Sequence, residues 1–189
     1  GLKLMSIGLM IEKDMPLIWR GPMIDKVLNQ FVNDVAWGDL DLLIIDMPPG
    51  TGDAQISLTR RVHIDGAVIV STPQDLALID ARKGIALFHE TDVPVLGLIE
   101  NMSTFICPTC GTRCDIFSHG GARLEAEKLG VQFLGEIPLH MEIRASADAG
   151  KPLMAATPDS AHAKIYSAIA AKISDALLSA PADAIVNKA

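Results

Sequence analysis

The 189 residues contain no basic block, and the net charge is −7. That excludes the electropositive footprint of a nucleic-acid binder. No apolar run reaches the roughly 18 residues that a membrane-crossing helix needs. The opening GLKLMSIGLM is too short and too weakly charged for a secretion signal. A soluble, cytoplasmic protein with neither nucleic-acid nor membrane partners is therefore expected. Cysteine is limited to Cys107, Cys110 and Cys114. An odd number of thiols does not build a disulfide framework in a chain without a secretion signal. Thiols grouped this closely suit metal binding or redox chemistry better. No internal repeat and no low-complexity segment occurs.

What is present is ordinary for an α/β protein: 49% apolar and 21% charged residues. A chain this long can bury roughly 70% of its unfolded surface in one domain. Short apolar runs alternate with amphipathic stretches. KLMSIGLM (3–10) reads as a strand. The segment 21–38 reads as a helix opened by Pro22, with Ile24, Val27, Leu28, Phe31 and Val35 on one face. LDLLIID (40–46) is apolar on both faces, as a central parallel strand must be. The alternation continues with strands at 66–72, 93–101 and 131–138. Helices follow at 75–90, 121–130, near 141–150, and from about 160 to 178. The fold class is α/β, a mostly parallel sheet with helices on both faces. Residues 1–178 are expected to form one domain and 179–189 a frayed tail.

Ligands of such sheets bind beyond the carboxyl ends of the strands. The unusual residues lie in loops expected at those ends: 46–53, 72–75, 101–118 and 138–144. In DMPPGTGD, Asp46 closes an apolar run, where a carboxylate can hold Mg²⁺ beside a nucleotide's phosphates. Taken alone, such an aspartate is more readily a helix or turn cap. Pro48 and Pro49 stiffen the following loop, and Gly50 and Gly52 let backbone N–H groups approach an anion. Asp53 suits the cap of the next helix. In CPTCGTRC, the C-x-x-C pair Cys107 and Cys110 supplies two ligands where zinc or a cubane cluster needs four. A second chain could donate the other pair, or Cys114 and His119 could complete the site. Spacing leaves zinc and a cluster equally open, because CPxCG is also the half-site of a zinc ribbon.

DMPPGTGD and IWRGPM, with STPQ…ALIDARKG, ENMS, CPTCG and LGEIPL in that order, resemble the Mrp (ApbC-type) ATPases, of the MinD/ParA-like branch of P-loop proteins. The resemblance runs from about Ser6 to Lys172. It implies ATP with Mg²⁺ as cofactor, a homodimer, and a bridging [4Fe–4S] cluster passed to iron–sulfur client apoproteins. It assigns Asp46 to the Mg²⁺ side, Gly50 to the γ-phosphate, Asn101 and the loop of Pro138 to the adenine base, and Cys107 and Cys110 to the cluster. Asn offers a base edge both a donor and an acceptor. Relatives often carry an acidic residue where this chain has His140, and Cys114 lies outside the family pattern. Members also carry a lysine-rich phosphate loop on the first strand. No G-x-x-x-x-G-K-[ST] run occurs in these residues. The chain is therefore expected to be a C-terminal portion of such a domain, inactive in ATP hydrolysis by itself.

A different reading is a MinD/ParA-like positioning or regulatory switch with structural zinc at the C-x-x-C. The tail ALLSAPADAIVNKA has too few cations for membrane attachment, which weighs against it. Trp19, Arg20 and Gln74 are further candidates at the site edge. Met102 and Phe105 are expected to form an apolar sleeve around the metal or dimer contact. His63, His89 and His162, without companions in the pattern, are read as structural.

Overall fold

In the computed structural model, residues 1–10, 21–48, 50 and 52–179 are described. The chain divides into two compact units, Gly1–His63 and Ile64–Ala189. Trp19, Arg20, Pro49, Thr51 and the tail from 180 lie outside the described residues.

In the first unit, helices α1 (Gly21–Asn33) and α2 (Asp53–Arg61) pack together. Arg61 reaches Asp25 across them at 4.0 Å. Gly52, not Asp53, occupies the cap position of α2. The two strands expected here are not formed. Residues 3–10 contain a single 3₁₀ turn, Ile7–Leu9, capped by the Ser6 side chain. Residues 40–46 are without regular structure, and Leu42 and Ile44 are 55% and 82% exposed. The reason is physical: an apolar run becomes a strand only when a neighbour takes its backbone N–H and C=O groups. No strand pairs with either segment among the described residues.

The second unit is built as the apolar pattern predicts. Strands β1 (Ala67–Ser71), β2 (Val95–Asn101) and β5 (Phe133–Ile137) form a parallel sheet in the order β1-β2-β5, with β2 central. Helices α3 (Asp75–Glu90) and α4 (Gly121–Leu129) provide the crossovers. Next come α5 (Met141–Asp148), the short α6 (Leu153–Ala156) and α7 (Ala161–Ser179). Successive residues of a strand face opposite ways, and β2 uses this fully. Leu98 packs on Leu78 and Ala81 of α3 and Ala122 and Ala126 of α4. Ile99 turns to the other face, against Leu134, Ile137 and Ile169 of α7. Each such buried leucine or isoleucine contributes about 1.5–3 kcal/mol. Gly97 is required by close approach, since a Cβ there would lie 2.5 Å from the Gln132 carbonyl oxygen and 2.7 Å from Leu134 Cγ.

Parallel strands carry their C-terminal ends to one edge of the sheet. The segments after β1, β2 and β5 leave from that edge. The 46–53 loop follows no strand.

Candidate metal and nucleotide site

After β2 the chain forms a small hairpin of β3 (Phe105–Ile106) and β4 (Arg113–Cys114), with Phe105 opposite Cys114. The Cys107 N–H donates to the Thr112 carbonyl and the Gly111 N–H to the Cys107 carbonyl, both at 2.9 Å. These two bonds close the turn around the C-x-x-C. Cys107 is half-buried and Cys110 exposed. Cys110 Sγ and the Thr112 hydroxyl hydrogen-bond at 3.3 Å. The Cys110 thiol is held below its ordinary pKa by that hydroxyl first, then by the Thr112 backbone and by the Cys107 thiol. Two cysteines in one short turn, Cys110 favoured as thiolate, offer soft donors at a solvent-open loop.

Cys114 is exposed on β4. His119 does not join the thiols; its Nε2 lies 2.9 Å from Glu136 Oε2. Among the described residues, the groups of three metal-ligating side chains whose ligand atoms lie within 4.8 Å of one another contain no cysteine. The single-chain completion by Cys114 and His119 is thus not assembled.

Both ends of the cysteine loop are fastened to the sheet. At the outgoing end Asn101 Oδ1 accepts the Met102 N–H at 3.0 Å, and Met102 takes φ +56. Ser103, 1% exposed, donates to the Ile137 carbonyl from its N–H at 3.0 Å and from its hydroxyl at 3.3 Å. The Leu139 N–H donates to the Thr104 carbonyl at 2.8 Å. Half-buried Pro138 lies between these ties, so the loops after β2 and β5 are bonded together. At the returning end stands Glu100, fully buried. Its two carboxylate oxygens accept the N–H groups of Gly120 at 2.9 Å and Ala122 at 2.8 Å, where α4 begins. An anion there satisfies orphan amides and meets the positive end of the helix.

In the first unit Asp46 is exposed and sits on no strand, and Gly50 adopts φ +97. Gln55, 4% exposed, donates from Nε2 to the Pro48 carbonyl at 2.6 Å and so shapes the DMPPG loop. Gln74 stands at the cap of α3, where its Oε1 accepts from the Thr72 hydroxyl at 3.2 Å. Met102 remains 38% exposed beside the hairpin. The reading of His162 as companionless is corrected: its ring lies 4.1 Å from that of His140, and its Nδ1 is 3.6 Å from Glu142 Oε2.

The second unit's parallel sheet and its crossovers define an α/β protein of the MinD/ParA-like kind. The cell-division ATPase MinD of Pyrococcus furiosus superposes with a TM-score of 0.59 at 21% identity, over 82% of this chain and 59% of that one. A nucleotide-binding protein of Archaeoglobus fulgidus, solved in complex with ADP, gives 0.61 at 42% identity, over 68% of this chain and 53% of that one. The family model for ParA, NUBPL iron-transfer P-loop NTPase, matches residues 1–174, and the chain belongs to that family. The iron–sulfur protein required for NADH dehydrogenase, mitochondrial, of Arabidopsis thaliana is 52% identical over 92% of this chain and 55% of its own length. The iron–sulfur cluster carrier protein of Pseudomonas fragi is 49% identical over 90% of this chain and 59% of its own. The chain spans about half the length of these curated relatives. Among the described residues no helix is long and apolar enough to cross a membrane.

Proposed function

We propose that this chain is the cluster-holding part of an iron–sulfur cluster carrier. Cys107 and Cys110 of two copies would bridge one [4Fe–4S] cluster, the cargo, for delivery to client apoproteins. The observation that carries this reading is the hairpin whose hydrogen-bonded turn carries both Cys107 and Cys110. A cubane needs four thiolates, and a hairpin supplying two of them calls for a second copy. Exposed Met102, Ile106 and Ile116 around the hairpin fit an apolar surround for that contact.

The nucleotide role is the finer part of the proposal. Asn101 and Pro138 would meet an adenine base, while Asp46 and Gly50 would face Mg²⁺ and phosphate. Bound ATP would add the phosphate charge and its Mg²⁺; the residues named here position the base and, through the Ser103 and Leu139 ties, the cysteine loop. Asn101 and Cys107 are seven residues apart counted inclusively, and a shift at the base end has a short, hydrogen-bonded path to the first thiol. The compartment would follow the host: mitochondrial, like the Arabidopsis relative by its name, or cytoplasmic in a bacterium.

The test is anaerobic reconstitution with iron and sulfide, followed by iron, sulfide and zinc content and by mass in solution. Roughly four irons and four sulfides per two chains, lost on Cys107→Ala or Cys110→Ala, supports the carrier. Tight zinc without sulfide would replace it with a structural knuckle.

A further inference from the structure

A second metal-ligating cluster lies apart from the thiols. His140 holds the cap position of α5, Glu142 lies in that helix's first turn, and His162 lies in the first turn of α7. Two segments some twenty residues apart thus bring two imidazoles and a carboxylate together, with ligand atoms all within 4.8 Å of one another. His162 Nδ1 and Glu142 Oε2 are 3.6 Å apart. Two ligands on one tetrahedral ion with bonds of about 2.0–2.1 Å lie roughly 3.3 Å apart, so only a small adjustment is needed. The helix start that carries His162 is anchored: the Ser160 hydroxyl accepts the Ala163 N–H at 3.1 Å, and Ala163 is fully buried. The site is open, with 47% of the Glu142 side chain exposed.

The other three-residue cluster, Glu100–His119–Glu136, does not qualify. Both oxygens of Glu100 are taken by amides, and His119 is already paired with Glu136. The carboxylate of Glu142 beside two imidazoles also argues against an anion, whose charge it would repel. Imidazole and carboxylate together are the donors of zinc-class divalent ions.

We propose that His140, His162 and Glu142 bind one zinc-class divalent transition-metal ion, with the remaining position open to solvent. The ring of His140 couples this ion to the fold. Its Nδ1 accepts the Glu142 N–H at 3.2 Å and so caps α5. A ring nitrogen that accepts a hydrogen bond has no lone pair left for a metal. An ion bound at Nδ1 displaces the cap, and one bound at Nε2 requires the proton on Nδ1, which also ends it. Binding therefore loosens the first turn of α5, directly after the Pro138–Leu139 segment that is bonded to the cysteine loop.

The probe is Zn²⁺ or Co²⁺ titrated into the chain carrying Cys107→Ser, Cys110→Ser and Cys114→Ser, which removes the thiol site. Circular dichroism confirms that each variant is folded. The expected result is one ion per chain, visible Co²⁺ absorption without thiolate charge-transfer bands, and a shift of the Glu142 amide resonance. His162→Ala or Glu142→Gln should weaken binding at least about tenfold, as loss of even a supporting group does. No stoichiometric binding, or binding that both substitutions leave unchanged, overturns the site. A folded chain whose Glu142 amide does not respond to bound metal overturns the coupling.

Discussion

The sharpest prediction concerns Glu100→Gln. The carboxylate is fully buried and accepts two amides at 2.9 and 2.8 Å where α4 begins. Glutamine keeps the shape, but one of its ends is a donor. One amide retains an acceptor, neutral where it was charged, a loss of about 1 kcal/mol; the other faces an NH₂ group and is left unsatisfied, at about 1–3 kcal/mol. The helix end loses its counter-charge, worth about 0.3–1 kcal/mol. Against these, glutamine no longer buries a charge, and relief of that desolvation offsets part of the loss. A net loss of about 2–4 kcal/mol is expected, because amides that replace water already stabilise the carboxylate. For a protein of this size that lowers Tm by roughly 4–16 °C. Thermal unfolding followed by circular dichroism measures it, and alkylation of Cys107 and Cys110 in the same variant should quicken as the returning end of the loop loosens. An unchanged or raised Tm would mean that desolvation dominates and that Glu100 does not anchor the loop.

Three further outcomes follow from the same geometry. Cys110 is held below its ordinary pKa, so its stabilising ionisation is fully present above the unfolded thiol value and is lost as pH falls through the folded one. At neutral pH iodoacetamide should modify Cys110 faster than Cys114, and Thr112→Val should remove much of that advantage; equal rates would discard the assignment. Gly97→Ala puts a Cβ 2.5 Å from the Gln132 carbonyl oxygen, and overpacking plus unfavourable φ should cost about 3–5 kcal/mol. That is a large part of a usual stability, so soluble yield and Tm should fall sharply, and a near-normal Tm would refute the packing argument. The 189 residues by themselves should show no family-like ATP turnover in a phosphate-release assay; Mg²⁺-dependent hydrolysis abolished by Asp46→Ala would overturn this.

The second unit was legible because its signals were redundant. Helix α3 spans the very residues of its amphipathic run, 75–90, and the three strands fall inside their apolar runs. Burial on both faces made β2 apolar from Val95 to Ile99, and its length and flanking turns separated it from a helix. The same reasoning failed at 3–10 and 40–46. Hydrophobicity records what a segment would bury, whereas a strand also requires a partner for its ladder. LDLLIID has the composition of a central strand and stands without one among the described residues.

The site divides along a similar line. The thiols were legible because C-x-x-C announces its chemistry by residue type and spacing, and the hairpin supplied only the manner of presentation. Glu100, Gln55 and His162 were not, because their roles depend on which backbone or side chain the fold delivers to them. One signal was nevertheless available: a charged residue closing the apolar run VLGLIEN conflicts with its surroundings, and a buried carboxylate must find donors. Period-two alternation puts Glu100 on the same face of β2 as Leu98, and Leu98 packs against α4. The strand pattern thus gives the face on which Glu100 lies, and the fold brings the start of α4 to that face. His162 offered no such conflict, since a histidine on a helix is ordinary until a second imidazole arrives beside it.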